Sequence, residues 1–106
     1  VKDREASRIL KKVKESSYII SLEIEGKSLS SEKFAKLIKD QMTYGMGEDL
    51  VFIIGGSNGL SKKISQKADY KLSFSKMTFP HKLMRLILIE QIYRAYKIIN
   101  NEPYHK

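Results

Sequence analysis

The sequence predicts an α/β fold in which a mostly parallel sheet is flanked by helices. Three observations lead there. Helix-period and strand-like segments alternate along the 106 residues in the order helix, strand, helix, strand, helix, strand, helix. The run Leu50-Val51-Phe52-Ile53-Ile54 has no polar alternation, which suits a central parallel strand covered on both faces. Gly55, Gly56 and Gly59 follow at once, at the strand end where α/β sheets turn and take up ligands. The length fits one domain spanning residues 1–106 and is too short for two of ordinary size.

Each element has a local cause. Ala6, Ile9, Leu10 and Val13 repeat at i, i+3, i+4 and i+7, the spacing of a helix with one buried face. Tyr18 to Glu25 is β-branched and then alternates, predicting a strand that ends in a turn at Gly26-Lys27. Ser30 can cap a second helix with Glu32 in its first turn, Phe34, Leu37, Ile38 and Met42 as the buried stripe, and Gly45 and Gly47 as the stop. Ser61 can cap a short helix to about Lys67, and Tyr70 to Phe74 reads as a third strand.

The last helix follows Pro80 and runs to about Asn100, with apolar side chains on most sides. A helix of that kind is buried nearly all round, and in so short a chain one face should meet another subunit, so a homodimer is expected. Glu90, Arg94 and Lys97 share one narrow sector, the expected solvent stripe, with Glu90 and Arg94 as an i, i+4 pair. Arg85 lies roughly opposite, on the sector of His81, Ile89, Ile92 and Tyr96. A guanidinium there calls for a carboxylate or a bound anion.

Composition narrows the function. There is no run of eighteen apolar residues, no signal-peptide pattern and no cysteine, which argues against a membrane span or a disulfide framework and fits the cytoplasm. Val1 is not an initiator Met and its helix begins uncapped, so an N-terminal piece is expected to be missing. The net charge of +8 is concentrated: residues 1–14 carry six Lys/Arg against two acids and residues 61–97 nine against two, while residues 15–60 carry four against seven. Such fields suit a polyanion, most simply nucleic acid, and equally suit a solvated surface.

The glycine segment is neither GxGxxG nor a P-loop, which argues against both familiar phosphate-binding turns. Gly56 to Gly59 matches the GxxG clamp of RNA-binding KH domains, but that clamp joins two helices and here a strand precedes it. A tight turn with no ligand stays open as well. Residues 73–80, SFSKMTFP, mix small hydroxyls, Lys76 and large apolar groups, as the wall of an adenine site would, or as a simple cover for the core would. There is no cysteine nucleophile and no GxSxG, and His81 and His105 are too few and too separated for a protein-only metal site.

Four stretches together carry a resemblance: SLEIEGKSLSSEKFA, FIIGGSNGL, YKLSFSKMTFPHKLMRLILIEQIYRAYKI and the closing PYHK. Over essentially the whole chain the sequence resembles the large-subunit ribosomal RNA methyltransferase H family of the knotted SPOUT methyltransferases. The resemblance implies a homodimer with a C-terminal trefoil knot, a family N-terminal strand and helix ahead of Val1, and S-adenosylmethionine as methyl donor. It implies N3 of a pseudouridine in 23S ribosomal RNA of the assembled ribosome as acceptor, with RNA and not DNA or membrane as partner. Carried over by position, the cofactor pocket is Leu22, Gly55 and the loop Phe74, Ser75, Lys76, Met77, Thr78 and Phe79. On the same reading His105 assists loss of the N3 proton or orients the base, and Arg85 and Tyr104 hold the nucleotide. The alternatives are a non-catalytic RNA-binding module using the GxxG loop and a SPOUT methyltransferase with another RNA substrate.

Overall fold

The apolar stripes read from the sequence cover the two faces of one small sheet. The computed structural model describes residues 2–45, 49–55 and 61–103. Its elements are α1 (Lys2–Lys12), β1 (Tyr18–Ser28), α2 (Ser31–Tyr44), β2 (Leu50–Ile54), α3 (Lys62–Lys67), β3 (Tyr70–Ser73) and α4 (His81–Ile99). The alternation is the expected one, and the three strands form a parallel sheet in the order β2-β1-β3.

Two cores sit on opposite faces of this sheet because side chains alternate along β1. Ile20 and Leu22 point to the face covered by Phe34, Ala35 and Ile38 of α2 and by Leu88 and Ala95 of α4. Ile19 points the other way and packs with Ala6 of α1, Ile53 of β2 and Ile64 of α3. Each such fully buried large aliphatic side chain contributes roughly 1.5–3 kcal/mol. Asp69 ties the start of β3 to β1 twice: Ile19 N–H donates to its Oδ2 at 2.7 Å, and its own N–H donates to the Ile19 carbonyl at 2.8 Å.

The caps act as read. Ser30 Oγ accepts from Lys33 N at 3.1 Å and Ser61 Oγ from Ile64 N at 3.4 Å, each relieving an orphan donor of the first helical turn. Gly45 closes α2 by donating to the Gln41 carbonyl at 2.9 Å, and a Cβ at that glycine would collide with the same oxygen. Gly47 lies outside the described residues.

Five expectations change. β1 does not end at Glu25: it continues through Gly26-Lys27 to Ser28, because Lys27 and Ser28 pair again with β3. β3 stops at Ser73, one residue short of Phe74, where the chain turns into the loop before α4. Leu50–Ile54 is an edge strand in this sheet, with β1 central. Helical cover on both faces, not a central place in the order, is what an unbroken apolar run reports. Met42 is 58% exposed in the last turn of α2, so it is not part of the buried stripe.

The fifth change concerns α4, which is not buried all round: Leu86, Ile89, Tyr93 and Tyr96 are 44–63% exposed along one side. Glu90, Arg94 and Lys97 are instead partly covered: a polar chain runs from Ser31 Oγ of α2 to Gln91 Oε1 at 2.8 Å and from Gln91 Nε2 to Glu90 Oε1 at 3.2 Å, and Lys97 pairs with Glu102 at 3.2 Å. The Glu90–Arg94 pair forms as expected, at 3.2 Å.

Candidate functional site

The carboxyl ends of β2 and β3 and the middle of β1 open onto a cleft of about 260 Å³. Its floor is apolar: Leu22 closes the regular part of β1, Ile54 ends β2, Leu72 lies in β3, and Met84 reaches in from α4. Gly55 follows Ile54 on the same wall. Phe74, Ser75, Met77, Thr78 and Phe79 form the opposite side.

The shape of the cleft follows from an irregularity in β1. Leu22 pairs with Leu72, and so does Lys27, so the four residues Glu23 to Gly26 bulge away without advancing along β3. Glu23, Ile24 and Glu25 in that excursion become the cleft rim. Gly26 returns the chain against β3 at a spot where a Cβ would lie 2.7 Å from the Lys71 carbonyl carbon and oxygen and 2.8 Å from the Leu72 carbonyl carbon. Only glycine fits so close an approach of two backbones.

Two sets of hydroxyl contacts hold the walls. Glu23 accepts from Ser21 Oγ at 2.6 Å and from Ser65 Oγ of α3 at 3.1 Å, tying the rim to the helix that follows the glycine segment. In the loop, Ser73 Oγ donates to the Ser75 carbonyl at 3.0 Å, and Ser75 Oγ accepts from Met77 N–H at 2.9 Å. The second contact is a local serine turn that fixes the loop backbone beside the apolar floor.

Leu22, Gly55, Phe74, Ser75, Met77, Thr78 and Phe79, from the pocket predicted by sequence, thus converge on one cleft. Lys76 lies in the same loop but is exposed and outside the lining. Arg85 is exposed on α4, directly after the cleft residue Met84, and has no ion-pair partner among the described residues. Tyr104 and His105, and the Gly56 to Gly59 clamp motif, lie outside the described residues. Sequence reasoning missed Glu23, Ile24, Glu25, Ile54, Leu72 and Met84. A signal for the rim was present, since a glycine inside a strand-like run marks a bulge or a close backbone approach, yet Gly26-Lys27 reads equally as a turn.

Residues 1–105 match the family described as "Predicted SPOUT methyltransferase". The chain belongs to the SPOUT methyltransferase family. It is 59% identical over 106 residues to the "Ribosomal RNA large subunit methyltransferase H" of Clostridioides difficile, a match covering 100% of this chain and 66% of that protein. It is 58% identical over 103 residues to the protein of the same name from Carboxydothermus hydrogenoformans, covering 97% of this chain and 64% of that one. The chain therefore spans slightly less than two thirds of the length of these relatives.

Within this SPOUT chain the cleft combines apolar walls, a tight loop carrying backbone polar groups and two hydroxyls, and an acidic rim. No helix among the described residues is long and apolar enough to cross a membrane.

Proposed function

We propose that the protein carrying this chain is an S-adenosylmethionine-dependent methyltransferase that modifies N3 of a pseudouridine in 23S ribosomal RNA of the assembled ribosome, working as a cytoplasmic homodimer. The observation that carries this reading is the single cleft shared by Leu22, Gly55 and the loop of Phe74 to Phe79 beside three parallel strands. The names of the relatives support large-subunit ribosomal RNA as the substrate class.

The residues present suit the donor. Leu22, Ile54, Leu72, Phe74 and Phe79 offer apolar surface for an adenine ring, and the main chain of the loop offers polar groups for its edge. Glu23 and Glu25 on the rim suit a ligand that carries positive charge at its sulfonium and amino groups. When bound, S-adenosylmethionine supplies an electrophilic methyl group. The chain's task is to hold it in line with the acceptor nitrogen, and positioning of this kind supplies much of the rate of a two-reactant step.

On the acceptor side, Arg85 beside Met84 can hold a phosphate of the target nucleotide, with Tyr104 against the nucleotide. We assign to His105 either assistance in losing the N3 proton or orientation of the base, as the N–CH₃ bond would form and the donor's S–CH₃ bond would break. The exposed apolar stripe of α4 (Leu86, Ile89, Tyr93 and Tyr96) supports a second copy as its cover, and the trefoil knot of the SPOUT fold belongs to the same reading.

Transfer of labelled methyl from the donor to ribosomes, separated subunits and free ribosomal RNA, run in parallel, tests the proposal. Incorporation at one pseudouridine N3 of large-subunit RNA is expected, with loss of donor binding in Phe79→Ala. No incorporation into any of the three, with donor binding unaltered by Phe79→Ala, would overturn it and leave an RNA-binding module as the better account.

A further inference from the structure

We infer, building on the methyltransferase reading above, that the outer surface of α1 and α3 is a track for the sugar–phosphate backbone of the substrate RNA, leading up to the rim of the cleft. Arg4, Arg8, Lys11 and Lys12 recur at i, i+4, i+7 and i+8, so they form one stripe on α1, and all four are exposed. Ala6, Ile9, Leu10 and Val13 occupy the opposite side and pack into the core beneath. Lys62, Lys63 and Lys67 are exposed on α3, which packs over the same core through Ile64. None of these seven cations has an ion-pair partner among the described residues.

The positive charge is denser on this side of the sheet than on the other. By sequence α1 carries five Lys/Arg against two acids, and α3 carries three Lys against none. On the other face α2 and α4 carry seven Lys/Arg against three acids over about twice as many residues, and Lys36, Arg94 and Lys97 there are in ion pairs. Arg4 to Lys12 spans roughly 12 Å at the helical rise per residue, long enough to follow more than one phosphate. Seven like charges on two adjoining helices repel one another, and a polyanion relieves that repulsion while releasing its own counterions.

The position relative to the cleft makes the surface useful. Ser65, on α3 between Lys63 and Lys67, donates to Glu23 Oε1 at the cleft rim, so the basic side is one hydrogen bond from the site. A lipid surface fits less well. A helix that lies on a membrane inserts its apolar face, and the apolar face of α1 is spent in the core, with Ala6 at 0% exposure.

Two non-overlapping variants test this, R4Q/R8Q/K11Q/K12Q on α1 and K62Q/K63Q/K67Q on α3. Each is measured for binding to large ribosomal subunits and to their free RNA over a potassium chloride series, and for donor binding by calorimetry on the same preparations. Both should bind RNA at least tenfold more weakly at low salt, and the slope of log K against log salt should flatten by about 0.7–0.9 for each phosphate that the variant no longer neutralises. Donor affinity should stay within about twofold of the parent, and the charge-keeping R4K/R8K variant should retain RNA binding. Unchanged RNA affinity and salt slope in both neutralised variants would overturn the inference, as would loss of RNA binding in R4K/R8K. A parent protein that binds RNA through this face yet neither binds donor nor transfers methyl would refute the methyltransferase reading while leaving the track standing.

Discussion

Substituting Gly26 with alanine tests whether the re-entry of β1 against β3 shapes this protein. Glycine within a strand normally costs about 0.5–1 kcal/mol relative to alanine, so at an open position Gly26→Ala would stabilise the fold. Here the added methyl would lie 2.7 Å from the Lys71 carbonyl carbon and oxygen and 2.8 Å from the Leu72 carbonyl carbon, against about 3.5–4 Å for ordinary contact. The obstructing atoms are backbone, and β3 has little room to retreat because Leu72 is 1% exposed and pairs with both Leu22 and Lys27. Overpacking of that kind costs roughly 1–3 kcal/mol, so the net expectation is a loss of about 2 kcal/mol. In urea unfolding at a fixed protein concentration, a slope of roughly 1–3 kcal/mol per molar turns this into a midpoint lowered by about 1 M with the slope unchanged. Donor affinity should fall as well, since the displaced strands carry Leu22, Glu23, Ile24, Glu25 and Leu72 of the cleft. A variant as stable as the parent, or more so, would refute the close-approach account of Gly26.

Other perturbations read other parts of the molecule. Burial, then the Asp69 carboxylate, then Tyr70 hold the Tyr18 phenol above its ordinary value of 10.0, so the folded state favours the neutral form. The stability this gives is complete below about pH 10 and is lost as pH rises through the raised folded value, so Tyr18→Phe should flatten the alkaline decline in denaturant midpoint. Ile89→Lys, at a side chain 60% exposed on the α4 stripe, should leave unfolding stability of the single chain within about 0.5 kcal/mol but shift the protein to monomer in light scattering; an unchanged mass would remove α4 as the subunit contact. Glu25→Gln should weaken calorimetric binding of the cationic donor by about two- to fivefold, the range of an exposed charge pair. It should affect the neutral thioether product S-adenosylhomocysteine less, and an equal effect on both would rule out a role for the rim charge.

The parts of the fold legible in sequence were those with a local cause. Ser30 and Ser61 announce helix starts because a hydroxyl must meet the first free N–H groups, and both do. Ala6, Ile9, Leu10 and Val13 announce a face because one period places them together. Less legible were properties that depend on which segments pair. An apolar strand such as Leu50–Ile54 reads the same at the edge as at the centre when helices cover both faces. The apolar circumference of α4 records every surface that must be kept from water, without saying which are covered within one chain, so Leu86 and Ile89 look the same in sequence as Leu88. For the cleft, Phe74 to Phe79 stood out as an irregular mixture between a strand and a helix, whereas Ile54, Leu72 and Met84 are ordinary core letters that become wall residues only where the strands end.

The cleft is best understood as a consequence of strand pairing. A regular parallel neighbour would have carried β1 straight past Leu22, and its next side chains would have alternated between the two cores. Leu22 and Lys27 share Leu72 instead, and the excursion between them places Ile24 and both acids at the mouth of the space above the sheet. That excursion needs a fixed beginning and a fixed end. Glu23 fixes the beginning through Ser21 and Ser65, and Gly26 fixes the end by letting two backbones touch. Ser65 also belongs to the helix that bears Lys62, Lys63 and Lys67, so one carboxylate joins the rim of the donor cleft to the basic surface proposed for the RNA backbone. Removing that junction with Ser65→Ala should loosen both sites together, whereas Phe79→Ala should affect the donor alone; the contrast separates a shared scaffold from two independent sites, and equal loss of RNA binding in the two variants would argue against the junction.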